Sequence, residues 1–506
     1  MSKPRFYITT AIAYPNGRPH MGHAYEAIAT DVIARFKRLD GCDVRFLTGT
    51  DEHGLKIDQA ARAAGKPPKA YVDEMVAPFQ TLDAALGISF DRFIRTTDAD
   101  HKALCQALWQ RMAANGDLYL GRYEGWYAVR DEAYYDEAEL TTGEDGVKLS
   151  PQGTPVEWTV EESWFFRLSA YQDRLLALYE AQPEFIQPTS RFNEMRAFVA
   201  GGLSDLSVSR TSFTWGIPVP GDDRHVMYVW LDALANYLTG AGGMDGEWWP
   251  ADLHVVGKDV VRFHTVYWPA FLMSAGIALP KTVFGHGFLL NRGEKMSKSL
   301  GNVVDPAEMV TRFGVDRLRW FLCREVAFGE DGSYSDEAIV ERTNADLANG
   351  IGNLAQRSLS MVAKNLGGVM PVRGQAGESE LRLKDAFHTG AEAYFAAMNA
   401  LALHKGLDAL MAMVAAANGY FAENAPWTLA KTDVARMAEV LAATLDATRR
   451  IVLLAQPFIP DSAARLLDQL GVAADARDFS GFNTPVEAGT QLPAPAGVFP
   501  RITLEG

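Results

Sequence analysis

The amino-acid sequence predicts an α/β fold: a doubly wound parallel sheet, split by a β-rich or mixed insert and followed by a C-terminal α-helix bundle. Three observations predict it. The chain opens with a strand–helix–strand pattern. The same pattern returns after an aromatic, alternating stretch. Beyond about residue 335 strand signals fade and alanine-rich helical patterns take over.

"RFYITTAI" reads as a short buried strand, and "AYPNGRPHMGH" as a loop broken by Pro15, Gly17 and Pro19. "AYEAIATDVIARFKRLDG" is helical: Ile28, Val32, Phe36 and Leu39 share one face, and Gly41 is the stop. "DVRFLTGTDEHG" supplies the next strand and its loop, which makes a parallel β-α-β unit. From about 115 to 220, "GRYEGWYAVRDEAYYDEAEL" and its turn-like flanks read as the insert. "RHVMYVWLDALANYLTGAG", "DLHVVGKDVVRFHTVYWPAFL" and "TVFGHGFLLN" restore the α/β pattern. "ADLANGIGNLAQRSLSMVAKNL" and later alanine-rich runs form the bundle. The Pro/Gly-rich end, "EAGTQLPAPAGVFPRITLEG", reads as extended.

Composition narrows the class of function. The 506 residues are 48% hydrophobic, enough for large cores, and about three domains are expected. A net charge of −15 argues against non-specific nucleic-acid binding but leaves room for a specific site. Cys42, Cys105 and Cys323 lie far apart, so neither a disulfide framework nor a thiolate zinc site is indicated, and a reducing cytoplasm fits. Neither a signal-peptide core nor a membrane-length apolar run is found.

Two loops carry candidate chemistry. "PHMGH" places His20 and His23 three apart at a helix entry, where free backbone N–H groups and the positive dipole end favour an anion. Gly22 between them would allow close approach of a nucleotide. "GEKMSKSLGN" places Lys295 and Lys298 on a glycine-bracketed loop after a late strand. Read alone, the lysine loop is ordinary surface, whereas H-x-G-H after a strand and opening a helix already favours the functional reading. In a doubly wound sheet both lie above the carboxyl ends of the strands, where histidines and lysines could clamp a triphosphate. Gly17 and Gly22 have Walker-A spacing, but His23-Ala24 stands where Lys-Ser/Thr is needed, and GxGxxG, HExxH and GxSxG are absent. The segment at 293–301 is expected to be mobile without ATP and to stop at Asp305, where "DPAE" offers an N-cap, Pro and Glu.

"PHMGH" and "KMSKS" resemble the two signature motifs of class I aminoacyl-tRNA synthetases. With "AIAYPNGRPHMGHAYEAIATD", "GTDEHG", "YVWLDALANYL", "VVGKDVVRFH", "KMSKSLGNVVDP" and "ENAPWTLAK" in the family's order, the chain is similar to the methionyl-tRNA synthetase family. The resemblance implies ATP-dependent activation of methionine and its transfer to tRNA(Met), initiator tRNA included. ATP would come with Mg2+. His20, His23, Lys295 and Lys298 are implied as catalytic. Ile12, Tyr14, Asp51, Trp230, Ala233, Tyr237, Val260 and His264 are implied to hold methionine, with Asp51 on the ammonium and Tyr14 or His264 as a weak donor near sulfur. Asn353, Arg357 and Trp427 are implied to read the anticodon. Many members carry a zinc knuckle after a "GWY" element. Here Ala128 and Asp131 stand where its first CxxC pair would fall, so the knuckle is expected without zinc, held by hydrogen bonds and by Trp126, Tyr127 and Tyr134.

The expected domains are the first half of a Rossmann-like catalytic domain (1–114), the connective insert (115–220), the second catalytic half (221–290), the lysine loop with linking helices (291–345), a helical anticodon-binding domain (346–475) and a tail (476–506). A cytoplasmic monomer is expected. The alternatives are a synthetase for another amino acid, a small nucleotidyltransferase that shares H-x-G-H, and a non-catalytic RNA-binding relative. The helix bundle and "KMSKSLGN" weigh against the small transferase, and the intact histidines and lysines against the non-catalytic relative.

Overall fold

A parallel strand covered on both faces is buried residue after residue and does not alternate, and the first strand of the structure has this pattern of burial. The computed structural model describes residues 3–131, 133–143, 146–295 and 304–504, without the side chains of Tyr123, Ala133, Glu161 and Lys295. Strand β1 (Arg5–Thr10) is buried from Tyr7 onward. It is joined by β2 (Asp43–Thr50), β3 (Arg92–Arg95), β4 (Ile186–Gln187), β5 (Leu253–Gly257) and β6 (Val283–His286). The sheet order is β3-β2-β1-β5-β6-β4, and every neighbouring pair is parallel. The doubly wound sheet read from the sequence is therefore present. Its order reverses between β1 and β5, so a crevice opens there, outside the carboxyl ends of the strands.

Helix α1 (Met21–Leu39) starts three residues before the predicted pattern, because His20 caps it, and it stops as expected beside Gly41 at φ 90°. In the insert, Leu118–Ala128 and Glu157–Phe166 pair antiparallel, with Trp126 opposite Trp158. The insert is not confined to its own sheets: β4 lies within it and completes the edge of the main sheet. A two-residue strand has no pattern to announce it in the sequence.

The predicted helix after the lysine loop is α4 (Pro306–Phe313), with Asp305 accepting the Ala307 N–H at 2.9 Å and Glu308 in the first turn. Before it, Leu289–Asn291 and Glu294–Lys295 pair as a hairpin about Arg292 and Gly293, both at positive φ, as a two-residue hairpin turn requires. Most of the segment expected to be mobile, 296–301, lies outside the described residues. Helix α5 (Val315–Glu325) leads to the bundle, which contains α6 (Asn353–Asn365), Glu378–Asn399, Leu403–Asn424, α7 (Val434–Ala455) and Pro460–Gln469. The tail runs extended over the bundle: Leu492 N–H donates to Gly368 O at 2.8 Å and Arg501 to Asn349. Among the described residues no helix is long and apolar enough to cross a membrane.

One buried ion pair joins these parts. Arg319 on α5 and Asp31 on α1 are both fully buried, 2.6 Å apart. Arg319 also donates to Leu86 O, Pro457 O and Phe458 O, while Asp31 accepts from Arg35, Ser89 N and Ser89 Oγ. Burial would raise the Asp31 pKa, but Arg319 and Arg35 outweigh it and hold the carboxyl below its ordinary value. Replacing Arg319 by Met removes one partner of a buried pair and strands three carbonyls. A loss of about 3–5 kcal/mol in urea-induced unfolding is expected; an unchanged midpoint would leave the pair without that role.

Candidate active site

The crevice is built from the carboxyl ends of β1, β2, β5 and β6. After β1, His20 is the N-cap of α1: its Nδ1 accepts the Gly22 N–H at 3.1 Å, and His23 Nδ1 accepts the His20 N–H at 3.1 Å. This is a capping box made of imidazoles. The ring centroids lie 3.9 Å apart. Because each Nδ1 accepts, each ring carries its proton on Nε2, so the pair offers N–H donors to an anion. Burial and the neighbouring His20 ring hold His23 at about 3, so it is neutral at physiological pH. Gly22 has a nearer reason than nucleotide approach: a Cβ there would lie 2.9 Å from His20 Cε1 and displace the cap. Three residues after His23, Glu26 bonds His286 Nε2 at 2.8 Å at the end of β6. Burial opposes charge on both, yet the carboxylate keeps His286 above its ordinary pKa.

The expected methionine residues converge. Ile12, Tyr14, Trp230 and Val260 are half-buried against one core, which includes Tyr237. Helix α3 (Val229–Gly240) carries Trp230, Ala233 and Tyr237, and Ala233 is 4% exposed. His264 sits in a π-turn, Phe263–Tyr267, a rare element that recurs at functional sites. Trp230 stacks on Phe263, 3.7 Å between centroids, and meets the His264 ring edge-on at 6.2 Å. Tyr237 O–H donates to His264 Nε2 at 2.6 Å, and His264 Nδ1–H to Val260 O at 2.9 Å. Tyr14 O–H donates to His53 O at 2.9 Å. In this structure Tyr14 O–H and His264 Nδ1–H are directed to the protein carbonyls of His53 and Val260, within the aromatic cluster that the sequence leads us to expect. Asp51 is 8% exposed at the end of β2, beside Tyr14's partner loop.

Three residues absent from the sequence reading stand behind this cavity. Asp232 on α3 accepts from His53 Nδ1 at 2.7 Å and from His101 Nε2 at 2.8 Å, and His101 lies on α2 (Ala99–Ala114). His101, Cys105 and Asp232 form a group with metal-type ligand atoms within 4.8 Å. Burial and Asp232 push the Cys105 thiol well above its ordinary pKa, so it stays protonated and supplies no thiolate. The group is a hydrogen-bonded chain. The signal for it in the sequence is one charge, Asp232, inside the apolar run "YVWLDALANYL".

Of the lysines, Lys295 has its backbone in the hairpin and Lys298 lies outside the described residues. In the bundle, Asn353 and Arg357 are exposed on one face of α6, and Arg357 lies over the Trp427 ring at 5.2 Å. Trp427 is 43% exposed, just after Pro426 opens a new helix, so it is a surface residue and not core. Asp131, where the second cysteine of a zinc pair would stand, accepts from Tyr135, Ser150 and Thr154. Ala128 closes a small core with Tyr135 and Val156, and Tyr127 packs on Tyr134 at 4.7 Å.

A doubly wound sheet that presents histidines at the first helix start, with no Walker lysine, fits the class I aminoacyl-tRNA synthetases that the sequence resembles. Comparison with known proteins places the chain within that class. Residues 6–359 match the family described as tRNA synthetases class I (M), and residues 370–506 the anticodon binding domain of methionyl tRNA ligase. A methionine–tRNA ligase of Mesorhizobium japonicum is 60% identical over 99% of this chain and 98% of its own. That of Mycobacterium tuberculosis is 57% identical over 98% of each. The structure of the Mycobacterium tuberculosis methionyl-tRNA synthetase in complex with methionyl-adenylate superposes with a TM-score of 0.96, at 56% identity, over 98% of this chain and 100% of the other. The chain belongs to the methionine–tRNA ligase family.

The pH dependence of stability tests the cavity's electrostatics. Burial lowers His264 from 6.5 to about 4. Well above pH 6.5 it is neutral folded and unfolded, and adds no slope. As the pH falls from 6.5 to 4, the unfolded chain takes a proton the folded chain refuses, so stability drops by at most about 1.4 kcal/mol per pH unit. His264→Gln is expected to flatten denaturation midpoints across this window relative to the parent. An identical slope in the variant would assign the titration to other groups.

Proposed function

We infer that the chain activates methionine with ATP and transfers it to tRNA(Met). The observation that carries this is the join between two parts: imidazole N–H donors at the sheet's switch point, beside a carboxylate and an aromatic cavity, in one chain with an exposed Arg–Trp pair on the bundle. ATP enters as its magnesium complex. A carboxylate oxygen of methionine attacks the α-phosphorus, the bond to the β-phosphate oxygen breaks, and pyrophosphate leaves. A terminal ribose hydroxyl of the tRNA then attacks the methionyl carbonyl, and AMP leaves. No covalent enzyme intermediate is needed; alignment and stabilisation of developing charge suffice.

In this reading His20 and His23 donate Nε2–H to the α-phosphate side, while Lys295 and Lys298 meet the departing pyrophosphate. Asp51 meets the ammonium of methionine. Ile12, Tyr14, Trp230, Ala233, Tyr237, Val260 and His264 enclose the thioether. Asn353, Arg357 and Trp427 read the anticodon, where stacking and polar groups suit a single-stranded loop. The domain limits given above, a cytoplasmic monomer and service to initiator tRNA complete the reading. The insert is proposed to hold no zinc: Asp131's three hydrogen bonds and the Ala128 core support a knuckle closed without thiolates.

The deciding experiment is ATP–pyrophosphate exchange with each of the twenty amino acids; methionine alone should support it, and exchange with another, or with none, overturns the reading. Trp427→Ala should leave exchange near the parent rate, because adenylate formation needs no tRNA. The same variant should lose roughly 1–3 kcal/mol of tRNA binding and charge poorly at limiting tRNA. Its exposure means thermal stability should hardly change; joint loss of exchange, charging and melting temperature would remove the anticodon role. Elemental analysis of untagged protein should find no stoichiometric zinc, and one tightly held ion per chain would reveal a site elsewhere.

A further inference from the structure

The loop after β2 is fixed at every residue. Asp51 N–H donates to Ala13 O at 2.8 Å, and Glu52 N–H to Thr96 Oγ1 at 2.9 Å. Trp215 Nε1–H donates to Glu52 O at 2.7 Å, Tyr14 O–H to His53 O at 2.9 Å, and Gly54 N–H to Trp215 O at 3.1 Å. The buried Glu52 carboxylate takes both an Nε and an Nη donor of Arg95 and the hydroxyls of Thr50 and Thr97. These bonds hold the loop to its own sheet and to the segment before the insert's last strands. The opposite wall of the cavity, α3, is a separate element.

His53 spans that gap. Its Nδ1–H donates to Asp232 Oδ2 at 2.7 Å, one residue from Ala233 and two from Trp230. The second oxygen of Asp232 takes His101 Nε2–H at 2.8 Å, and His101 Nδ1 accepts the Thr239 hydroxyl at 3.0 Å, two turns further along α3. His101 thus grips α3 at both ends of this stretch from α2. All three side chains are at most 3% exposed. Burial would raise the Asp232 pKa, but His53 and His101 outweigh it and hold the carboxylate at about 2. A buried carboxylate is expensive: apolar residues in place of the whole triad would be neutral or stabilising, whereas removing Asp232 alone would strand two buried imidazoles. What the carboxylate adds is direction: two donors, from two elements, at fixed angles.

We propose that His53, Asp232 and His101 form a positioning relay for the methionine site: it sets the separation between Asp51, on the loop, and Trp230 and Ala233, on α3. That separation is the distance between the ammonium end and the thioether end of the bound amino acid. The proposal rests on the pocket assignment given under the proposed function. None of the three touches substrate in this role, and each acts through its neighbours.

The test is methionine-dependent exchange with KM measured separately for methionine and ATP. His53→Ala should raise the KM for methionine about tenfold to hundredfold, the loss expected for one hydrogen bond to a charged group, while the KM for ATP stays within about twofold. His53→Asn places an amide N–H where Nδ1–H stood and should recover most of that loss. His101→Ala cuts the far end and should give a smaller rise in the same parameter. Asp51→Asn reports on the pocket itself. A methionine KM unchanged in His53→Ala and His101→Ala, alongside a large rise in Asp51→Asn, overturns the relay and leaves the pocket standing. No rise in Asp51→Asn overturns the pocket and the relay together. Parallel rises in both KM values, or an Asn variant no better than Ala, reduce the cluster to fold support and overturn the proposal. If His53→Ala does not fold, His53→Asn against His101→Ala still decides between these outcomes.

Discussion

The Arg319–Asp31 pair is the constraint on which the rest of the molecule depends. Its carboxylate belongs to the helix whose first turn forms the imidazole box, and its guanidinium belongs to the helix that leads into the bundle. The same guanidinium also binds the carbonyls of Pro457 and Phe458, at the far end of the bundle's central helix. One side chain therefore ties catalytic helix, linking helix and bundle at a single dry point. On the proposed reading, a tRNA that reaches from the crevice to the exposed Arg357–Trp427 surface needs the two held at a fixed span. Hydrophobic packing alone resists separation but tolerates sliding. A buried guanidinium with four directional hydrogen bonds does not slide, because displacement would leave charge and carbonyls unpaired.

The cavity follows the same logic on a smaller scale. Its aromatic walls are orthodox core packing, as the Trp230–Phe263 stack illustrates. Its polar atoms are spent on one another: Tyr237 on His264, His264 on Val260, Tyr14 on His53. An interior whose donors are already committed presents an apolar surface even though it is built partly from polar residues. On the proposed reading, selection for an uncharged, polarisable side chain then needs no dedicated partner for sulfur.

Much of this was legible in the sequence, for identifiable reasons. The parallel sheet announced itself through buried runs such as "RFYITTAI", the α4 start through "DPAE", and the stop of α1 through Gly41, because those features are local. Strand β4 was not legible, since two residues carry no period. The apolar pattern of α1 begins only at Ala24, three residues inside the helix, but the histidine pair marked its entry. Gly22 was assigned to ligand approach when the nearer demand is the His20 ring. The His53–Asp232–His101 chain joins residues 179 and 131 positions apart, and no local pattern encodes such a contact. Trp427 could not be placed by hydrophobicity, which points inward; only its position after a proline-opened helix, beside an arginine, points to the surface.

The imidazole box has a consequence for how the crevice meets an anion. A ring nitrogen that caps a helix by accepting a backbone hydrogen cannot also take up a proton, because two donors would then face each other and the first turn would fray. The helix thereby selects the tautomer of both rings. Across the range in which free histidines swing from cation to neutral, burial and the His20 ring keep His23 uncharged, so its Nε2–H persists as a donor. On the proposed reading, full positive charge at the phosphates comes from elsewhere in the chain, so the geometry of the anion site and its charge are supplied by different elements.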